Sequence, residues 1–527
     1  MDWKKLLNNT RLRQSKRGAD TRNDFESDFG RIIFSSAMRR MHDKTQVFPL
    51  TSDDNIHSRL THSMEVMAIG HSLGIRICEK DDFASTIGAD KINLFREIPV
   101  LLKNACLVHD IGNPPFGHFG ETVIQEYFKK IFAQEQEKEE KAKAENKEVK
   151  LLKLTTEQQE DFTNFDGNAQ GFRVLTKLQI LNDAYGLNLT YGTLACYTKY
   201  PNYGKTDKSK IAKKKRGVFQ SEFQYLEQIY DACGLKKDDG IIRHPLCFLM
   251  EAADSICYLV MDMEDGFNKG WYSFSEIGKH FESDVEINEK IAKLETEHIG
   301  HGQEITKMVN FRIFLIDRLV KIAVENFLKN LLAISIGEYN KELIKDDEKG
   351  LENLLTNFCV TKIFPNREIT SLELTGHSVL TGLLDYYIEF VFHENKDYRN
   401  RARGLISDSI LRAAFVENKE SIFAKRLQEF KEKSQEENKD KHEYEKKHTS
   451  LKTLLDKLTQ LKSESTTGEG EEEELRHTEV EIFRIVKPHL DDLNDYFKLR
   501  VIVDFISGMT DQFALNHYQK LSGQKIS

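Results

Sequence analysis

A mostly apolar run, Leu101 to Val108, ends on the adjacent pair His109-Asp110 and then breaks into Ile111-Gly112-Asn113-Pro114-Pro115-Phe116-Gly117-His118. A helix that delivers an imidazole and a carboxylate at its end, then gives way to a Gly/Pro loop, constrains the fold around it. Neighbouring residues cannot share one helix face as i, i+4 ligands do, but at a helix end one can turn inward while the next bridges. Read with His62 before them and Asp254 after them, they supply two imidazoles and two carboxylates that can close around a divalent metal on a helical scaffold. Neutral imidazole with carboxylate suits Mn, Fe, Ni, Co or Zn, and oxygen-rich variants suit Mg.

The rest of the chain fits such a scaffold. Its 527 residues are 39% hydrophobic and 31% charged, with only 8 prolines, so a large core with much solvated helix surface is expected and many extended linkers are not. Leu, Lys, Glu and Ile dominate long stretches, which favours helix over strand. The fold class read from this is mainly all-α. No apolar segment approaches the roughly 18 residues of a membrane span. The start Met1-Asp2-Trp3-Lys4-Lys5 leads into polar residues with no apolar signal core, so a cytoplasmic protein without membrane association is expected. The seven cysteines include no Cys-x-x-Cys pair and read as reduced core residues. A net charge of −9 argues against a generic nucleic-acid binder, while local basic clusters remain free to bind an anion.

Residues 1–270 read as a catalytic core with an N-terminal segment. Residues 271–527 read as a helical C-terminal region that completes it. Helical patterns are expected over Ile32–Met41, Leu60–Ile77, Pro99–His109, Gly120–Phe132, Gly171–Leu181, Leu246–Asp265, Asn310–Ile336 and Val480–Ala514. Lys44–Pro49 reads as an extended exit, Phe162–Asn168 as a polar loop, and Thr190–Tyr203 as either a short strand pair or another helix. Two charged inserts stand out. Residues 134–150 are nearly all Glu, Lys, Ala and Gln, a solvated helix extension or an insert. Residues 426–474 combine a charged helical pattern over Arg426–Lys462 with an acidic loop over Ser463–Glu474.

The wider pattern is specific. Arg59-Leu60-Thr61-His62-Ser63, the run His109 to His118, and Glu251-Ala252-Ala253-Asp254 resemble the HD-domain phosphohydrolases. Within them the chain resembles the deoxyguanosinetriphosphate triphosphohydrolase family. Arg31–Ala37, Lys44-Thr45-Gln46-Val47-Phe48-Pro49, Phe165-Asp166-Gly167-Asn168-Ala169-Gln170 and Asp504–Asp511 extend the likeness, which thus spans residues 31 to 511 and leaves out the charged inserts. The resemblance implies an HD-type helical fold and metal ligation by His62, His109, Asp110 and Asp254. It implies hydrolysis of a deoxynucleoside triphosphate, dGTP or broader, at the α-phosphorus, releasing deoxynucleoside and triphosphate. It also implies homo-oligomers, often hexamers, with allosteric nucleotide or single-stranded DNA sites.

Spacing adds its own expectations. His118 and Glu121 lie three residues apart and share a face if helical, so Glu121 can orient His118 as general acid or base. The resemblance gives them the same catalytic role, and a capping pair is the alternative. Asp254, Tyr258 and Asp262 repeat at i, i+4 and i+8 on one helix side, placing metal, sugar and base-side contacts in line. By resemblance Tyr258 crowds the sugar 2′ position, Gln46 meets the 3′-hydroxyl, and Asn168 belongs to the substrate contacts. The plainer alternative for Tyr258 is core packing. Arg59 shares a face with His62 and can clamp an α-phosphate bidentately. Lys199, Tyr200 and the run Lys205–Arg216, with seven basic residues and one acid, can neutralise a triphosphate tail. Lys215 is the candidate from that run, and a solvated basic surface is the alternative. Two other functions stay open: an HD phosphohydrolase of monophosphates or signalling nucleotides, and a nucleic-acid sensor acting through the basic loop.

Overall fold

The computed structural model describes residues 2–13, 21–50, 55–81, 83, 91–179, 185–237, 240–297, 300, 302–347, 350–436, 440–463 and 469–525. Within them the chain is mainly helical, as its composition predicts. The only strands among the described residues are the antiparallel pair Lys236–Lys237 and Gly240–Ile241. No described helix is long and apolar enough to cross a membrane. The chain forms two compact units. One comprises residues 1–149, 155–386 and 506–527; the other comprises residues 150–154 and 387–505.

Five helices of the larger unit carry the site: α1 (Arg59–Cys78), α2 (Lys91–Val108), α3 (Gly117–Ala144), α4 (Gly167–Arg173) and α5 (Pro245–Asn268). Two of them, α1 and α5, begin where their local chemistry demands. Ser58 opens α1 in a capping box with Thr61, satisfying orphan N–H groups at the helix start. His244 caps α5, and Pro245 takes the first-turn position, where a missing N–H costs nothing. Helices α1 and α2 approach closely at small residues. A Cβ on Gly70 would lie 2.3 Å from the Cys106 sulfur, and one on Gly74 would lie 2.8 Å from the Pro99 Cα. Val66, Leu73, Leu102, Cys106, Ile256 and Cys257 form the buried seam of α1, α2 and α5. All seven cysteines are buried and unbridged.

The smaller unit holds helices Lys396–Leu405, Asp408–Glu417, Lys419–Gln435, Lys441–Ser463 and Glu469–Val486. Phe423 meets Phe483 edge-on at 5.2 Å in its core. Arg426 and Lys425 both pair with the buried Asp492 carboxylate.

Several elements differ from their sequence expectation. Pro99 lies inside α2 rather than at its start. A proline costs an internal hydrogen bond, but here its ring seats on Gly74 at the α1–α2 contact, and burial offsets the loss. The 32–41 segment is two helices, Asp24–Ile33 and Ser36–Arg40, because the Ser35 hydroxyl accepts the Met38 N–H and restarts the chain. The 171–181 helix begins earlier, at Gly167, and becomes a π-turn over Val174–Leu178; its last predicted residues, 180 and 181, lie outside the described ones. The 190–203 ambiguity resolves to a helix, Tyr191–Tyr197, capped by Thr190. The 310–336 segment is two helices, Gln303–Lys329 and Leu331–Ile336. The 134–150 insert is largely the exposed end of α3, which runs to Ala144. The acidic stretch is helical from Glu469 onward instead of a loop, and residues 464–468 lie outside the described ones.

Candidate metal centre and the groups around it

His62 on α1, His109 just beyond α2 and Asp254 on α5 converge, with one ligand atom of each lying within 4.8 Å of the others. His62 Nε2 lies 3.3 Å and His109 Nε2 3.4 Å from the same Asp254 Oδ1. The His109 ring is preset for ligation. Its Nδ1–H donates to the Cys106 carbonyl at 2.7 Å, which leaves the Nε2 lone pair facing the cluster. That Nε2 is buried with no hydrogen-bond partner. A buried polar atom left unmatched is costly, and a divalent cation is the partner that this donor set fits. Burial opposes charge on His109, but Asp110 and Asp254 outweigh it and push the imidazole up to about 9. Burial would likewise raise Asp254, yet His109 and His62 hold it well below the usual carboxylate range.

Asp110 stands at the edge of this triad. Its Oδ1 is 3.7 Å from His109 Nε2 and accepts the Asn113 amide at 2.8 Å, while Oδ2 is bound by Arg59 Nη1. Burial works against its charge, but Arg59 and His109 hold it down at about 2. The same Nη1 donates to Gln46 Oε1 at 3.2 Å. Gln46 and Arg59 meet because Thr45 bridges Ser58 in extended pairing and the Arg59 N–H donates to the Lys44 carbonyl at 2.9 Å. The candidate sugar contact, the candidate phosphate clamp and a candidate ligand therefore form one chain of contacts.

Around the start of α3 lies a second cluster. His118 Nδ1 is 3.0 Å from Glu121 Oε2, and the His118 side chain is 72% exposed against 5% for Glu121. The Glu121 charge raises the His118 pKa; burial would raise Glu121, but His118 keeps it low. The pair is thus a hydrogen-bonded acid–base couple with the imidazole turned outward. Lys215 Nζ lies 2.8 Å from Asp166 Oδ2 and 3.9 Å from Glu121 Oε2, and the Asn168 amide donates to Asp166 Oδ1 at 2.8 Å. Of the 205–216 basic run, Lys215 makes these contacts, whereas Arg216 is buried on Glu160 and Asp161. Lys205, Lys208, Lys210 and Lys214 are exposed.

On the α5 side, Lys199 Nζ lies 3.4 Å from Glu251 Oε1 and 3.9 Å from Asp254 Oδ2, above the Tyr200 ring. Glu251 in turn accepts Arg243 at 3.0 Å. Asp254 and Tyr258 are partly exposed and Asp262 is buried, consistent with one helix side running from the metal centre inward. Burial raises the Tyr258 phenol, and burial with the nearby Asp265 charge raises Asp262 well above the ordinary range.

Several supporting groups escaped sequence reasoning. His57 Nδ1 lies 2.7 Å from Asp265 and Nε2 3.1 Å from Glu65, joining α5 to α1. Lys44 is buried and donates to the Asn113 and Ser507 carbonyls at 2.5 and 2.8 Å. Asp511 accepts Thr45 N–H and Phe116 N–H, both at 3.0 Å. Lys44 and Asp511 lay inside quoted motifs, so a signal existed, but nothing in the sequence said which partners they meet.

Comparison with known proteins agrees with this geometry. The HD domain family matches residues 59–181, and the phosphohydrolase-associated domain matches residues 476–520. The chain is 34% identical to a deoxyguanosinetriphosphate triphosphohydrolase-like protein of Listeria monocytogenes, over 99% of this chain and 100% of that one. It is 34% identical to a protein of the same description from Synechocystis, over 75% and 87% of the two chains. A deoxyguanosinetriphosphate triphosphohydrolase of Yersinia enterocolitica is 30% identical over 94% and 93%. With a convergent His-His-Asp triad and kinship along nearly its full length, this chain belongs to the HD-domain deoxyguanosinetriphosphate triphosphohydrolase family and is a phosphohydrolase.

Proposed function

We propose that the protein hydrolyses deoxynucleoside triphosphates, dGTP or a broader set, to deoxynucleoside and inorganic triphosphate. The observation that carries this reading is the continuity of the Gln46–Arg59–Asp110 contacts with the His62–His109–Asp254 triad. A sugar-reading amide, a phosphate-clamping guanidinium and a cation site lie in one unbroken line. Mg or Mn is the proposed cation, with Fe, Co, Ni and Zn also suited to the ligands. A divalent cation at this site polarises a phosphoryl oxygen and acidifies water.

The chain's own residues do the rest. His62, His109 and Asp254 hold the site, and Asp110 closes it. Arg59 can pass from Asp110 and Gln46 to an α-phosphate. The outward His118 imidazole, its proton favoured by the Glu121 charge, hands a proton to the leaving sugar oxygen. Gln46 hydrogen-bonds the sugar hydroxyl, and Tyr258 packs where a 2′-hydroxyl would sit. A site built to pair a polar group discriminates strongly against a sugar that leaves it unpaired. Lys199, Tyr200, Lys215 and Asn168 bind the phosphate tail, and Asp262 lies beyond the sugar. Assembly as a homo-oligomer, with regulation by nucleotide or single-stranded DNA, belongs to the same reading.

The test is incubation with each of the four deoxynucleoside triphosphates and the ribonucleotides, with Mg or Mn, resolving triphosphate from orthophosphate. Triphosphate release from deoxynucleotides alone is expected. Orthophosphate as the product sinks the proposal.

A further inference from the structure

Asp166 is almost wholly buried yet is neither a candidate ligand nor part of the proposed proton path. Both its oxygens are committed. Oδ1 accepts the Asn168 backbone N–H and the Asn168 side-chain amide, each at 2.8 Å. Oδ2 faces Lys215 Nζ at 2.8 Å. The first contact caps α4, and the second fixes an ammonium that is otherwise 40% exposed.

The backbone of the two residues that Asp166 holds is anchored as well. The Tyr197 hydroxyl donates to the Asn168 carbonyl at 2.8 Å, and the Asn202 amide donates to the Lys215 carbonyl at 3.2 Å. Next to Asp166, the Gly167 N–H donates to Glu121 Oε1 at 2.7 Å. A Cβ on Gly167 would lie 2.0 Å from Asn113 Oδ1 and 2.6 Å from Glu121 Oε1, so the backbone must come this close to the acid–base pair. One short segment therefore sets an amide, an ammonium and the His118–Glu121 pair against each other.

We infer that Asp166 is a positioning residue that organises Asn168 and Lys215 as a preformed cradle for the polyphosphate tail. Immobilising a long, rotamer-rich lysine on binding carries an entropic cost, and an ion pair already made removes part of it. Buried with Glu121 nearby, Asp166 is also a carboxylate whose pKa burial raises, and Lys215 opposes that rise. Carboxylate and ammonium therefore need one another. The inference rests on the proposed triphosphate chemistry, but its test does not depend on turnover.

The probe is inorganic tripolyphosphate, with binding to the full-length protein followed by calorimetry. Asp166→Asn keeps an oxygen to cap α4 but turns a neutral amide toward Lys215. Asp166→Asn and Lys215→Met are each expected to weaken tripolyphosphate about tenfold, and the double variant no more than either alone. The melting temperature of Asp166→Asn should stay near wild type because the helix cap survives. In turnover, KM should rise about tenfold with kcat within threefold. Multiplying penalties in the double variant would overturn the inference, as would wild-type tripolyphosphate affinity in Asp166→Asn or no binding by the wild type. A wild type that binds tripolyphosphate with these couplings but hydrolyses no deoxynucleotide would instead refute the proposed reaction alone.

Discussion

At the scale of the residue, His109 shows how a candidate ligand is oriented by a single backbone contact. With Nδ1 bound to the Cys106 carbonyl and Nε2 buried without a partner, only one ring nitrogen is available and it faces Asp254. His109→Ala and Asp254→Ala are each expected to abolish Mn binding by calorimetry and to abolish turnover; activity retained in metal-stripped protein would sink the assignment. His118 sits apart from the ligands, so His118→Ala should keep the metal while kcat falls by about 10²–10⁴. The Glu121 charge raises the His118 pKa, and a general acid is lost as pH rises through its pKa. Glu121→Gln should therefore move the alkaline limb of the kcat–pH profile to lower pH. An unmoved limb would remove Glu121 from that role. Arg59 could be placed on the face of His62 from its position three residues earlier. That it also holds Asp110 and Gln46 could not be read there, because those partners come from residues 13 and 51 positions away.

Helix boundaries mattered most at the scale of the element. Periodicity located α1, α2 and α5, since a helix buried on one side must repeat apolar residues near 3.6. It misplaced Pro99, because whether a proline can stay inside a helix depends on what its ring packs against. The cap of α5 is a testable case. His244 Nδ1 accepts the Leu246 N–H and Nε2 donates to the Leu6 carbonyl, both at 3.2 Å, so the neutral ring is fully satisfied. Burial pushes its pKa down to about 4, against about 6.5 when unfolded. Between these values the unfolded chain binds more protons, so this contribution is complete above pH 6.5 and is lost as pH falls toward 4. His244→Asn retains a capping oxygen without the titration. Between pH 7.5 and 5 the wild type should lose about 2 kcal/mol more stability than the variant by urea denaturation. Equal losses would show that His244 does not titrate this way.

On the scale of the whole molecule, the larger unit brings residues 506–527 onto the segments around Lys44 and Phe116. Ser507 and Asp511 hold Lys44, Thr45 and Phe116, the last with a left-handed φ of 63° at the start of α3. That strained conformation needs surroundings that enforce it, and the Asp511 contact is one of them. Asp511→Ala leaves buried donors unmatched and should cost about 3 kcal/mol, read as a lower melting temperature. It should also lower kcat/KM for deoxynucleotides, because Gln46 follows Thr45 and His118 lies two residues after Phe116. Full activity with only a lower melting temperature would confine Asp511 to stability.

Sequence by itself determined the helical class, because it follows from residue chemistry and short-range periodicity that any fold must respect, and it named the candidate ligands through motifs that resemble a known family. Tertiary structure decided which charges face one another: Arg59 on Asp110, Lys215 on Asp166, Lys199 on Glu251, and Asp511 on two distant N–H groups. Such pairings join residues tens to hundreds of positions apart. No local pattern encodes them, since the energy of a buried charge depends on the partner that packing brings within a few ångströms. His109-Asp110 could be read as a pair in the chain, but only the packed helices separate a buried imidazole facing Asp254 from a carboxylate shared with Arg59.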